Sequence, residues 1–174
     1  MITKITYNHK INPWSGLTRD QGYRLEKNCL LLLENNFKCI CGLESAHFPI
    51  IKNCIDEEYK FILSDCGCSL DKYKKNIKTN EMEPYKINNR SAQINCIIAN
   101  LRRCKIKHLD MHSSGKNICI NSDGVISLID FDIALINEDH ISNKILNRSK
   151  DYENDNDYYN KLQDRIINIL DDML

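Results

Sequence analysis

The sequence predicts an α+β protein, because segments with helical periodicity alternate with short apolar strands. Three segments carry apolar residues at helical spacing: 20–34, 91–106 and 158–173. A fourth region reads as a β-hairpin, since the apolar runs 117–121 and 125–129 are joined by the turn-forming residues Ser122, Asp123 and Gly124. At 174 residues, the chain is long enough to bury one sizeable core.

The elements of the first half are a strand, a helix and a second strand. Residues 2–6 form a short apolar segment around Lys4. The helix 20–34 places Leu25, Cys29, Leu32 and Leu33 on one face, with Glu26 at its middle. The strand 59–63 then runs into a Gly-containing turn at Asp65 and Gly67.

The second half is predicted to be mainly helical around the hairpin. The helix 91–106 has a single apolar stripe and basic residues toward its end. The helix 158–173 has a second apolar face. Between the hairpin and this helix, residues 137–160 are rich in Asn, Asp and Lys, a composition that predicts a mobile loop.

Polar residues stand at both ends of the predicted hairpin. Asp110 precedes the first strand, Asn117 opens it and Asp130 closes the second strand. A hairpin can bring these three side chains around one small volume. Carboxylate and amide oxygens are hard ligands of the kind that Mg²⁺ uses together with substrate phosphates. The hairpin is therefore a candidate magnesium-phosphate site.

The segment 108–132, HLDMHSSGKNICINSDGVISLIDFD, resembles the catalytic core of protein kinases. In this resemblance Asp110 is the base that accepts the proton of the attacking hydroxyl, and Asn117 and Asp130 hold the metal. The loop after Asp110 is two residues longer than in the family. His112 stands where serine/threonine kinases have a phosphate-contacting lysine, and Lys116 is a candidate to replace it catalytically.

A third departure is Asp132, which replaces the glycine of Asp-Phe-Gly. This replacement removes the residue that most readily adopts positive φ and adds a carboxylate beside the metal site.

Weaker correspondences extend the resemblance over most of the chain. Lys4 matches the strand lysine that grips the ATP phosphates, and Glu26 matches the helix glutamate that pairs with it. Asp65 and Gly67 match the hinge whose backbone binds adenine. The resemblance implies one kinase-like domain over residues 1–174, with a reduced antiparallel-sheet N-lobe (1–66) and a mainly helical C-lobe (67–174). It also implies ATP and Mg²⁺ as cofactors.

The function implied is transfer of the ATP γ-phosphate to a hydroxyl of a protein (Ser/Thr) or of a small molecule. The alternative is a pseudokinase, a binding or scaffold module that acts on a protein partner without catalysis. Its support is that only three residues precede Lys4, which leaves no room for a glycine-rich loop, and that the C-lobe is short. A third possibility is an unrelated α+β domain whose hairpin imitates the motif.

Composition and charge bear on partners and cellular location. Formal net charge is +0, which does not indicate a nucleic-acid-binding surface, and no window is apolar enough to cross a membrane. The lysines at 72, 74, 75 and 78 are interpreted as a solvated face. The odd number of cysteines, 9, and the absence of a signal peptide favour reduced thiols in the cytoplasm. The abundance of Asn, Ile and Lys is typical of AT-rich genomes and would suit a viral protein. Such a protein would be located in the host cytoplasm.

A structural zinc site is not favoured by the sequence. The pairs Cys39/Cys41 and Cys66/Cys68 are each separated by one residue only, whereas structural zinc sites usually leave two to four residues between paired ligands.

Overall fold

A computed structural model describes residues 1–6, 11–43, 46–136 and 142–172. Within this part of the chain the helices are α1 (Arg19–Asn36), α2 (Leu70–Lys78), α3 (Arg90–Arg103), α4 (Asn143–Ser149) and α5 (Asp155–Asp171). The strands are β1 (Ile2–Ile5), β2 (Ile51–Ile55), β3 (Lys60–Leu63), β4 (Cys68–Ser69), β5 (Ile106–His108), β6 (Ile118–Ile120), β7 (Ile126–Leu128) and β8 (Ala134–Ile136). The predicted α+β class is confirmed.

The N-terminal sheet has the antiparallel order β1-β3-β2, so that Lys4 lies opposite Phe61. Helix α1 starts at a capping box, in which Thr18 and Gln21 satisfy each other's backbone N–H groups. The predicted strand 59–63 begins one residue late, because Tyr59 adopts a left-handed conformation (φ 52°) after the β2–β3 turn. The predicted domain division at 66/67 falls in the turn between β3 and β4.

The remaining strands form two small antiparallel sheets, β4-β6-β7 and β5-β8. The predicted hairpin is confirmed, with Ile118 opposite Leu128. Each of its strands is shorter than predicted at both ends. At the turn, Asn121 Oδ1 accepts hydrogen bonds from the backbone N–H groups of Asp123 and Val125, so Asn121 closes the turn and is not part of the strand.

A single large core joins both halves of the chain, with α3 at its centre. Helix α3 contacts α1, α5, β5 and β7. The largest fully buried side chains include Phe61, Tyr73, Phe131, Tyr158 and Tyr159. The two tyrosines of α5 also make polar contacts, since the Tyr159 hydroxyl lies 3.3 Å from the backbone oxygens of both Leu101 and Ile106. Helix α5 therefore holds the end of α3 and the start of β5.

Two predictions about the helices were wrong in detail. The predicted helix 91–106 ends at Arg103, because Lys105 adopts positive φ (52°) and Ile106 begins a strand that pairs with β8. The last helix begins at Asp155, three residues earlier than predicted, where the Asn154 side chain accepts a hydrogen bond from Asp157 N.

The mobile loop predicted over 137–160 was wrong for the portion that is described. Residues 142–160 contain α4 and the beginning of α5, while 137–141 lie outside the described residues. Helix α4 forms because Ser142 caps it and Ile145 is fully buried in a second small core with Leu17, Ile133 and Leu135. One buried isoleucine thus outweighs the polar composition of the segment. None of the described helices is long and apolar enough to cross a membrane.

Candidate functional site

Lys4 lies at the centre of a network of acidic groups. Its Nζ is 2.7 Å from both carboxylate oxygens of Glu26 on α1 and 2.6 Å from Asp130 Oδ1. The Glu26 side chain is 1% exposed, so its charge depends on Lys4 for compensation. Burial lowers the pKa of Lys4, but the surrounding carboxylates outweigh that effect and hold the pKa above its ordinary value. Lys4 is therefore a fixed cation.

Asp130 follows β7 directly and has an unusual backbone. Its φ is 69°, in the left-handed region that non-glycine residues seldom adopt. Burial raises the pKa of Asp130, yet the Lys4 cation outweighs it and the net shift is downward. The carboxylate thus stays ionised at neutral pH. Strained backbone of this kind is concentrated at functional sites, where the surrounding structure maintains it.

Asp110, Lys116 and Asn117 form the second part of the site. The Asn117 amide Nδ2 donates to the backbone oxygen of Asp110 at 2.6 Å and to its Oδ2 at 3.0 Å. Lys116 Nζ lies 3.2 Å from the same Oδ2. Asn117 is buried and does not line the cavity described below. The contacts of Lys116 and Asn117 with Asp110 therefore tie together the two ends of the loop 110–117.

Asp132 adds a second carboxylate beside Asp130. It is buried, and desolvation, followed by repulsion from Asp130, raises the pKa of Asp132 to about 7. The replacement of glycine by Asp132 causes no backbone strain at that position. The residue with positive φ is Asp130 and not Asp132. A cation between these carboxylates would favour the ionised form of Asp132.

Four of the side chains described above line one cavity of about 670 Å³. Asp110, Lys116, Asp130 and Asp132 all line it. The rest of the lining comes from the loop at 12–14, the neighbours of Asp110 and Asp132, and the two C-terminal helices with the turn between them: Asn12, Pro13, Trp14, Leu109, Met111, His112, Ile133, Arg148, Asp151, Tyr152 and Arg165. Its volume lies in the range of small-molecule binding sites.

The structure does not bring every predicted residue to this cavity. Lys4 and Glu26 lie behind Asp130 and reach the cavity only through it. Asp65 and Gly67 are not among the cavity lining. They form a tight turn instead, in which Asp65 Oδ1 accepts a hydrogen bond from Gly67 N at 2.9 Å. The adenine-binding role of this turn stays a prediction.

Sequence reasoning missed Trp14, Arg148 and Arg165 as cavity residues. No motif contains them, and only the packing of α4 and α5 brings the two arginines into the cavity that Asp110 lines. The Tyr158 hydroxyl of α5 donates to the backbone oxygen of His108 at 3.0 Å, whereas Asp157 binds Lys161 and Glu153 N.

His108 connects the Asp110 loop to Asp130. Its Nε2 donates to the backbone oxygen of Ile129 at 2.8 Å, since a carbonyl can only accept. Its ring meets Phe131 edge-on, with centroids 4.9 Å apart. Burial lowers the pKa of His108, so the ring is neutral at neutral pH. His108 therefore links the start of the Asp110 loop to the residues that flank Asp130.

Comparison with known proteins adds nothing to this geometry. No protein-family model matches the sequence, and no curated protein is significantly similar to it. The chemistry of the site must therefore be inferred from its own residues.

Proposed function

We propose that this protein is a kinase-like phosphotransferase that binds ATP with Mg²⁺ and transfers the γ-phosphate to a hydroxyl group. The observation that carries the proposal is the position of Lys4. One lysine joins Glu26 on α1 to Asp130 after the hairpin, and Asp130 shares a cavity with Asp110. The resemblance to protein kinases supports the proposal, because it assigns phosphoryl-transfer roles to a set of five residues: Lys4, Glu26, Asp110, Asn117 and Asp130.

The donor atoms fit a magnesium ion. Asp130 and Asp132 line the cavity and would supply carboxylate oxygens, the hard ligands that Mg²⁺ prefers. Asn117, the third proposed ligand, is buried outside the cavity lining and directs its amide nitrogen to Asp110. A magnesium ion held by these residues would supply neutralisation of the phosphate charge. Lys4, held by Glu26, adds a positive charge beside the same position. The cavity itself has the size expected for such a ligand.

Asp110 is placed to handle the acceptor. Its carboxylate lies at the cavity wall, where Asn117 and Lys116 fix its orientation. In this position it can orient an incoming hydroxyl and accept its proton. Lys116 can then contact the transferred phosphate. The acceptor is a protein serine or threonine, or a small molecule. Arg148 and Arg165 line the same cavity and offer charge to an anionic acceptor.

The proposal is tested by thermal unfolding with and without Mg²⁺-ATP. A ligand at about a hundred times its Kd adds about 2.7 kcal/mol to stability, which for a chain of this size raises Tm by several degrees. We expect this shift in the wild type and not in Asp130→Asn. Asp123→Asn is the matched control, because Asp123 is exposed in the hairpin turn and lies outside the cavity lining. Absence of a shift at millimolar ATP would contradict the proposal.

A second candidate is a pseudokinase that binds a protein partner. The observation that favours it is that the site's groups satisfy one another without any ligand. Lys4 binds Asp130 at 2.6 Å, and the Asn117 amide binds Asp110. A site of this kind can be stable without nucleotide. Mg²⁺-ATP binding together with phosphate transfer to any protein or small-molecule acceptor would exclude this candidate, whereas binding without transfer would favour it.

A further inference from the structure

Three cysteines and one histidine converge at a place remote from the cavity. Cys39 and Cys41 lie after α1, His47 lies just before β2, and Cys96 lies on α3. The three Sγ atoms lie within 4.8 Å of one another, and the Cys39 and Cys41 Sγ atoms are 3.6 Å apart. His47 Nε2 is 3.1 Å from Cys41 Sγ. Residues distant in sequence thus bring three sulfurs together, and His47 adjoins this group through Cys41, although its Nε2 is not within 4.8 Å of all three sulfurs.

His47 presents a lone pair to this cluster. Its Nδ1 lies 2.6 Å from the backbone oxygen of Ile126, and a carbonyl can only accept, so Nδ1 carries the proton. In the neutral ring Nε2 is then the basic nitrogen, and it points at Cys41. A histidine that donates its other N–H to a backbone carbonyl is the usual arrangement of a metal ligand. His47 is fully buried, which keeps this orientation fixed.

Polar groups surround the sulfur of Cys96. The backbone N–H of Ile40 donates to Cys96 Sγ at 3.4 Å, Asn100 Nδ2 lies 3.6 Å from the same sulfur, and the thiol donates to the backbone oxygen of Lys38 at 3.9 Å. The Ile40 N–H could also donate to a metal-bound sulfur. Cys96 is fully buried, so a negative charge on its sulfur would need a cation nearby.

We propose that Cys39, Cys41, His47 and Cys96 bind one structural Zn²⁺ ion. Three sulfurs and one imidazole nitrogen are a ligand set of structural zinc sites. In a tetrahedral site with Zn–S bonds of about 2.3 Å, neighbouring sulfurs lie about 3.8 Å apart, close to the observed Cys39–Cys41 separation. Binding converts three thiols to thiolates, and the three protons pass to solvent while His47 binds in its neutral form.

The ion would join three elements of the fold, adding to the hydrogen bonds between Lys38 and Asn100 that already link the α1–β2 connection to α3. Cys39 and Cys41 belong to the connection between α1 and β2, and Cys96 belongs to α3. His47 extends the link to β7 through Ile126, and its own backbone oxygen accepts from Leu128 N at 2.9 Å. The site is therefore a structural clamp between the first helix connection, α3 and the hairpin. None of its four ligands lines the cavity, so its test is independent of the proposed phosphotransfer.

The separation of Cys39 and Cys41 by one residue was the reason why the sequence disfavoured zinc. The structure changes that assessment, because Cys66 and Cys68 are not the partners of this pair. A pair with an unusual spacing needs only two further ligands of suitable geometry, and the fold supplies them from His47 and Cys96.

The experiment measures metal content of the full-length protein. The chain is reduced, stripped of metal with a chelator and reconstituted with Zn²⁺, and bound zinc is determined by mass spectrometry. We expect one Zn²⁺ per chain and release of about three protons. Reconstitution with Co²⁺ should give the visible bands of a tetrahedral site and the near-ultraviolet bands of thiolate ligands. Zinc should also raise Tm by several degrees.

Variants assign the ligands. Cys39→Ser and His47→Gln are expected to weaken zinc binding by about 100-fold or more, since loss of even an outer-shell partner typically costs 10 to 100-fold. Cys39 is the most exposed ligand, so its variant leaves the core intact if Cys96→Ser fails to fold. The matched control is Cys68→Ser, from the other cysteine pair, which should bind zinc like the wild type.

Three outcomes would overturn the proposal. The first is less than about a tenth of an equivalent of zinc after reconstitution. The second is wild-type zinc binding by Cys39→Ser. The third is a Co²⁺ spectrum that lacks thiolate bands.

Discussion

Lys4 Nζ and Asp130 Oδ1 lie 2.6 Å apart although 126 residues separate them in sequence. This ion pair connects the first strand to the residue that leaves the hairpin. Glu26 completes the connection from α1, so that three elements meet at one part-buried cation. Removing Lys4 leaves the buried Glu26 carboxylate without its partner, which makes the network testable by stability measurements.

Lys4→Met should destabilise the protein by about 3–5 kcal/mol, the usual cost of removing one partner of a buried ion pair. The main cause is Glu26, whose carboxylate is almost fully buried. The double variant Lys4→Met/Glu26→Gln should recover part of that loss, because the buried charge is then gone. Urea unfolding of both variants measures the difference.

Lys60→Met is the control for this experiment. Lys60 lies on the neighbouring strand β3 and pairs at 3.4 Å with Glu58, whose side chain is 60% exposed. Exposed pairs contribute about 1 kcal/mol or less. Equal losses in Lys4→Met and Lys60→Met would show that the Lys4 network has no special importance.

Asp110→Asn should lower phosphate transfer by about 10²–10⁴-fold, the range expected for loss of a general base. The amide keeps the size of the side chain and can still accept from Asn117. Mg²⁺-ATP should therefore stabilise Asp110→Asn as much as the wild type, since Asp130 is intact. Turnover is measured with labelled ATP, and binding by Tm. Unchanged turnover would remove Asp110 from its assigned role.

Gly67→Ala should destabilise the protein by about 3 kcal/mol or more. Gly67 has φ +89°, and an added Cβ would lie 2.2 Å from the backbone oxygen of Ile120, which cannot move without disturbing β6. Both strain and overpacking then act together.

Gly16→Ala provides the comparison, because it isolates backbone strain. Its φ is +71°, yet an added Cβ would meet only side-chain atoms at 3.4 Å or more. We expect a cost of about 1 kcal/mol there. Equal costs in the two variants, measured by urea unfolding, would mean that Gly67 is not closely packed against Ile120.

The pH dependence of stability should report His108. Burial lowers the pKa of His108 in the folded state, so between the ordinary value near 6.5 and the lowered value the unfolded chain binds more protons. The contribution of neutral His108 to the free energy of unfolding is therefore fully present above about pH 6.5 and is lost as the pH falls through this window. His108→Gln removes the titrating group and retains an N–H donor for Ile129.

The stability of wild type minus that of His108→Gln should be constant above about pH 7 and decrease below it. His47 and Asp132 also have shifted pKa values, but both are present in the two proteins and cancel in the difference. Unfolding free energies from urea titrations between pH 5 and 8 provide the measurement. A difference that does not change with pH would contradict a buried neutral His108.

Local sequence determined the hairpin and the positions of the main helices. The turn residues Ser122, Asp123 and Gly124 favour reversal whatever surrounds them, and amphipathic periodicity favours α1 and α5. The resemblance to protein kinases also predicted the pairing of Lys4 with Glu26, which the structure contains at 2.7 Å. These features depend on neighbours in sequence, or on one recognisable pattern, and so can be inferred from the residues alone.

Only the tertiary structure decided which distant residues meet. Helix α4 exists because Ile145 finds a buried site, against the polar composition of its segment. The left-handed backbone at Asp130 and the convergence of His47 with Cys96 likewise depend on packing between elements. The entropy cost of ordering such contacts is offset by burial of apolar surface throughout the core, so no local pattern encodes them. Periodicity along the chain therefore determines the main helices and the hairpin strands. Burial of apolar faces determines which distant side chains meet.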